Sequence, residues 1–208
     1  VTQLIIQQND NNTAEIAKRL AAAERKDSLT GLNNRRGFEE QLASVHQQAT
    51  QGKTTAGLFY IHLDNIGKIR SSLGLQGVDN TIKQVGYMLD ELVPEAYISR
   101  FSDNAFTILI ENQSTTALTD LAQRINERIA DMLIEVDKRT TATTVSIGIA
   151  KIEKNTVEPK IVLERAMDAI THIMIQTSNT GGTYHLYDPS QHANSDDNAL
   201  AESLVAAI

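Results

Sequence analysis

Tyr97-Ile98-Ser99-Arg100-Phe101-Ser102-Asp103-Asn104-Ala105-Phe106-Thr107-Ile108-Leu109-Ile110-Glu111 reads as two short strands, Tyr97–Phe101 and Ala105–Glu111, facing each other across Ser102-Asp103-Asn104. Asp and Asn tolerate the left-handed backbone of tight hairpins, so the turn chemistry predicts a hairpin at this point.

Working outward, a helix carrying Ile82, Val85, Leu89 and Leu92 precedes the hairpin and ends near Pro94, with a shorter helical stretch before it at Ile66 to Leu73. Ahead of these lies Ala56 to Leu63, whose nearly continuous apolar run suits a strand covered on both faces. Phe38, Leu42, Val45 and Ala49 mark one face of a still earlier helix, broken at Gln51-Gly52-Lys53. After the hairpin, Leu118, Leu121, Ile125, Ile129 and Leu133 predict a helix from about Thr116 to Leu133, and Thr143 to Ala150 predicts a strand. Pro159 suits the first turn of a last helix buried through Ile161, Val162, Ala166, Ala169, Ile170 and Ile173. Gly181-Gly182 closes it and Thr183 to Tyr187 can add a strand. From the first strand onward the order is βααββαβ, which contains the split βαβ unit of ferredoxin-like folds. The expected class is α/β (α+β): a mixed, mostly antiparallel central sheet flanked by helices, in a palm-like arrangement.

The 208 residues leave room for one domain and terminal segments. Residues 1–26 read as a polar lead-in and a connecting helix with Ile16, Leu20 and Ala23 on one stripe, and residues 190–208 as a linker toward a following domain. No apolar run approaches the length of a membrane span and no secretory segment is visible, so a cytoplasmic location is the expectation. With no cysteine, disulfides and thiolate metal sites are excluded. A net charge of -7 argues against broad nucleic-acid binding. His46, His62, His172, His185 and His192 are too scattered to read as a zinc site. Ser146 is not in a nucleophile elbow, and no phosphate-binding G-x-x-x-x-G-K-[ST] occurs.

Asp27-Ser28-Leu29-Thr30-Gly31-Leu32-Asn33-Asn34-Arg35-Arg36-Gly37-Phe38 resembles the opening motif of GGDEF domains, DxLTGLxNRRxF, at every defined position. Thr143 to Ala150 is similar to the late core strand of that family, and the resemblance covers residues 27–189. It implies the fold of diguanylate cyclases, in which two GTP-loaded domains meet head to head and each 3′ hydroxyl attacks the other's α-phosphate. Such phosphoryl transfer requires carboxylate oxygens around hard divalent cations.

Carried over by position, the resemblance places His62 where the family has its first metal-binding Asp. Asn104 stands at the second metal-ligand position and Ala105 at the Glu that follows; Phe106 is kept. Ser102 and Asp103 replace two glycines that let backbone approach the phosphates. Arg70 stands for a base-contacting Asn, while the base-contacting Asp is kept as Asp79, which a surface helix cap would also explain. Met174 falls near a phosphate-contacting Lys, and Thr180-Gly181-Gly182 replaces the motif GRN. Val93-Pro94-Glu95-Ala96 lacks the RxxD of the inhibitory site, so cyclic di-GMP is not expected there. No catalytic residue, metal ligand or cofactor is expected, and Asp79 alone does not make a GTP site.

The resulting expectation is a catalytically inactive diguanylate cyclase-like domain, acting as a regulatory, dimerisation or protein-interaction module in cyclic di-GMP signalling. The arrangement resembles composite GGDEF-EAL proteins of the FimX type, which implies neighbouring sensory and EAL domains and control of type IV pili and twitching motility. The partner is then a second copy or another protein. Two alternatives stand beside it: a GTP-binding allosteric domain without turnover, and an active cyclase using relocated ligands such as Asp103 and Asp64.

Overall fold

The computed structural model describes residues 22–136, 138–176 and 181–189. The connecting helix up to residue 21 and the linker from residue 190 lie outside the described residues.

At the centre runs β2, Ala56–Leu63, which pairs antiparallel with β4, Ala105–Glu111, on one side and with β7, Val145–Ile152, on the other. Beyond β4 come β3, Tyr97–Ser102, antiparallel, and then β1, Asn33–Asn34, parallel to β3. Beyond β7 lies β8, Thr183–Leu186, parallel to it, so the sheet order is β1-β3-β4-β2-β7-β8. The continuous apolar run of β2 is explained by helices on both faces. Phe59, Ile61 and Leu63 enter a core with α2, Ile66–Leu92, and α3, Thr115–Ala130. Ala56 and Leu58 enter a second core with α1, Arg35–Thr50, and α4, Pro159–Gln176. Burying each large apolar side chain, such as fully covered Phe38, Phe59 and Phe106, contributes about 1.5–3 kcal/mol.

The structure differs from the sequence reading at several points, among them the short strand β1, which was not read from the sequence. The two stretches before the hairpin form one run, Ile66–Leu92, interrupted by non-helical backbone at Gly74 (φ 69°, ψ -166°). The third helix stops at Ala130, and Leu133 is 70% exposed on β5, Leu133–Val136. That strand pairs with β6, Arg139–Ala142, in a small separate hairpin that apolar periodicity did not reveal, with Lys138 left-handed at φ 65°. Finally, the β3–β4 turn does not use left-handed residues: neither Asp103 nor Asn104 has a positive φ, and an irregularity between Arg100 and Ser102 closes it instead.

Candidate functional site

The β3–β4 hairpin and the end of β2 form one face because their register brings them together. His62 lies opposite Ala105 of β4 and Ser146 of β7, and the Leu63 N–H donates to the Asn104 carbonyl at 2.8 Å. His62 and Asn104 are half-buried, Ala105 is fully buried, and Ser102 and Asp103 are exposed. The Ser102 hydroxyl donates to Asn104 Oδ1 at 3.2 Å, so the amide oxygen already has a partner. At the two positions read as metal ligands this face therefore offers an imidazole and an amide, and at the Glu position beside them a methyl group. Hard divalent cations take carboxylate oxygens, and these three groups do not fit one.

Asp64, two residues beyond His62, is occupied differently. Its Oδ1 accepts from the Ser146 hydroxyl at 2.7 Å and its Oδ2 from the Thr144 hydroxyl at 2.8 Å, with the Gly182 N–H at 3.4 Å. Its own N–H donates to the Thr144 carbonyl at 3.0 Å. Among the described residues no three His, Asp or Glu side chains group as a metal site. Asp64 is engaged by these hydroxyls, and Asp103 stands exposed in the turn.

Arg70 and Asp79 both lie exposed on α2, one on either side of the Gly74 kink. Asp79 sits inside the helix, so it is not a cap. Arg139 of β6 donates to the Ser72 carbonyl at 3.3 Å, holding the end of the first half of α2. Met174 belongs to α4, but its side chain and Thr180 lie outside the described residues. Gly181 and Gly182, at φ 66° and 68°, lead into β8.

The opening motif has a physical role at this face. Asp27 Oδ1 accepts from the Thr30 N–H (2.9 Å) and hydroxyl (2.8 Å), while Oδ2 meets the Arg100 guanidinium at 3.1 Å, with both side chains 17% exposed. Burial pushes the Asp27 carboxyl up, but Thr30 and Arg100 outweigh it and hold the group below the usual aspartate range. Gly31 turns left-handed at φ 74°. Asn34 caps α1 by accepting from the Gly37 N–H at 3.0 Å, and its amide donates to the Glu24 and Lys26 carbonyls. Gly37 leaves no room for a β-carbon, which would stand 2.9 Å from the Tyr97 hydroxyl and 3.2 Å from the Arg25 carbonyl. Asn33 pairs with Ser99 and Asn34 with Arg100, so the entering chain is hydrogen-bonded to β3 just before the turn. Position in the sequence gives no sign of the Asp27–Arg100 pair or of the Asp64 contacts; the motif alone pointed to Asp27.

Residues 24–180 match the family model for "Diguanylate cyclase, GGDEF domain". The chain belongs to the GGDEF family. Its fold is similar to the GGDEF domain of FimX from Pseudomonas aeruginosa, with TM-score 0.72 and 27% identity, over 77% of this chain and 98% of that one. It is also similar to the GGDEF domain of DgcB from Caulobacter crescentus in complex with c-di-GMP, with TM-score 0.73, over 78% of this chain and 95% of that one; at 20% identity this is a likeness of fold alone. In sequence, the cyclic di-GMP phosphodiesterase NbdA of Pseudomonas aeruginosa is 30% identical over 128 residues, 61% of this chain but 16% of that protein. The GGDEF chain spans less than half the length of the first curated relatives it matches, from 16% to 49%. It is a diguanylate cyclase-like domain of cyclic di-GMP signalling, and among its described residues no helix is long and apolar enough to cross a membrane.

Proposed function

We propose that this GGDEF domain does not make cyclic di-GMP and serves as a regulatory module, through a second copy of itself or another protein. One observation carries the reading: the end of β2 and the hairpin offer His62, Asn104 and buried Ala105 where the family's chemistry calls for carboxylates. Phosphoryl transfer depends on divalent cations that neutralise the charge developing on the transferred group. Asp64, the nearby carboxylate, accepts two hydroxyl hydrogens instead. The likeness to FimX at 27% identity supports a composite cytoplasmic protein with sensory and EAL domains beside this one, and with it control of type IV pili and twitching motility. A match confined to 16% of a long phosphodiesterase supports the same composite architecture.

The decisive experiment incubates the protein with GTP and Mg²⁺ or Mn²⁺ and separates the products by chromatography. No cyclic di-GMP is the expected outcome. Turnover that disappears in Asp103→Ala would put an active cyclase with relocated ligands in its place.

A second reading, a domain that binds GTP without turnover, is favoured by Asp79, which stands exposed on α2 five residues past the kink at Gly74. Calorimetry with GTP and Mg²⁺ separates the two, since heat that is lost in Asp79→Ala belongs only to the second.

A further inference from the structure

The entering and leaving segments of the domain are the two borders of one sheet. The order β1-β3-β4-β2-β7-β8 puts β1 at one border and β8 at the other, and each joins its neighbour in parallel. Five strand spacings of about 4.8 Å set the borders roughly 24 Å apart. Parallel borders of two and four residues gain little from pairing alone. Each is pinned by a carboxylate instead. On the entry side Asp27 holds Thr30 and Arg100.

On the exit side the pin is Asp64. Ser146 and Thr144 donate to its two oxygens, and the Gly182 N–H reaches the second of them. Gly181 fits only because it lacks a side chain: a β-carbon would stand 2.4 Å from Thr144 Oγ1 and 2.8 Å from Asp64 Oδ2. At the far end of β8 the Tyr187 N–H donates to the Ile149 carbonyl at 2.8 Å. Among the described residues the Asp64 side chain fastens the start of the strand and the Tyr187 backbone bond its finish, with Leu186 and Tyr187 packed against the two cores.

We infer that Asp64 is the latch of the exit border: it holds the Gly181-Gly182 turn against β2 and β7, so that the chain leaving at Leu186 keeps a fixed distance and angle to the chain entering at Asp27. The latch lies two residues from His62, just past the end of the strand that carries it, so events at that face and the setting of the exit share one strand end. The inference does not rest on loss of turnover, since a working cyclase would be latched in the same way.

The test is a distance measurement by pulsed electron paramagnetic resonance. The chain has no cysteine, so labels go onto Ser28→Cys with Tyr184→Cys across the sheet. Ser28→Cys with Gln113→Cys is the control that leaves β8 out. Asp64→Ala is expected to widen the Ser28–Tyr184 distribution about twofold or more and to leave the control pair unchanged, as for a local opening of one border. Asp64→Asn, which keeps one acceptor oxygen, is expected to fall between. An unchanged Ser28–Tyr184 distribution overturns the latch, and so does equal widening of both pairs, which reports loss of the whole sheet. Should Asp64→Ala fail to fold, Asp64→Asn and Thr144→Val decide on the same criterion.

Discussion

Gly148 of β7 lies so close beneath α4 that a β-carbon there would stand 1.7 Å from the Ala166 carbonyl oxygen, 2.8 Å from its carbonyl carbon and 3.1 Å from Ile170 Cγ1. The first of these falls short of ordinary van der Waals separation, about 3.5 Å, by roughly 2 Å. The obstacle is helix backbone, which has no rotamer to turn away, so Gly148→Ala must lift α4 from the sheet. That loosens the face formed by Val162, Ala166, Ala169 and Ile170. Overpacking costs about 1–3 kcal/mol and sometimes more, and a backbone clash of this depth belongs at or above the top of that range. Gly57 supplies the contrast. Its β-carbon would meet Leu118 Cδ2 at 2.4 Å and Cδ1 at 2.9 Å, a side chain able to repack, so Gly57→Ala is expected to cost about 1–2 kcal/mol. Urea unfolding followed by far-ultraviolet circular dichroism measures both, provided the slope with denaturant stays constant. A Gly148→Ala protein within about 1 kcal/mol of the parent, or a Gly57→Ala protein that is the less stable of the two, would refute the reasoning.

The Asp27–Arg100 pair sets a pH dependence. Its carboxyl is held below the usual range in the folded chain, so the stability it contributes is fully present above the unfolded value near pH 4 and is lost as pH falls through the folded one. Arg100→Ala is expected to cost about 1–3 kcal/mol at neutral pH, between the values for exposed and buried pairs. Urea midpoints should show that gap closing below about pH 4; a gap that persists undiminished at lower pH counts against the pair. Ser99 and Thr107 are cross-strand partners whose buried hydroxyls have no hydrogen-bond partner among the described residues. The double variant Ser99→Ala with Thr107→Val is therefore expected to be neutral or up to about 1 kcal/mol more stable, and a clear loss in the same urea assay would show that the hydroxyls do bond.

Elements whose cause is local were legible in the sequence. The unbroken apolar run of β2 follows from cover on both faces, and Asn34 of the opening motif caps α1 three residues before Gly37. The end of α3 was not legible, because Leu133 continues the spacing of Leu121, Ile125 and Ile129. The helix ends at Ala130, and Ile134 and Val136 are buried from the next strand instead. Strand pairing with Arg139–Ala142 won over one more helical turn, and a four-residue strand is too short for alternation to announce it. The β3–β4 hairpin was found for an incomplete reason: Asp103 and Asn104 suit a turn, but the irregularity beside Ser102 supplies the closure.

The candidate site divides along the same line. Which side chains stand at positions 62, 104 and 105 is a property of the sequence, but what they can do depends on pairing that only the fold provides. The Asn104 amide is spoken for by Ser102 two residues away, a contact within reach of local reasoning. Asp64 is spoken for by Ser146 and Thr144, 82 and 80 residues distant, and by Gly182, 118 residues distant. Read alone, a carboxylate two residues past a strand-end histidine invites a metal. A carboxylate that accepts two hydroxyls can take a cation only by giving those bonds up, and the exit strand depends on them. Recruiting Asp64 as a metal ligand would therefore have to open the border of the sheet, whereas a cation held by other side chains at this face would leave it shut.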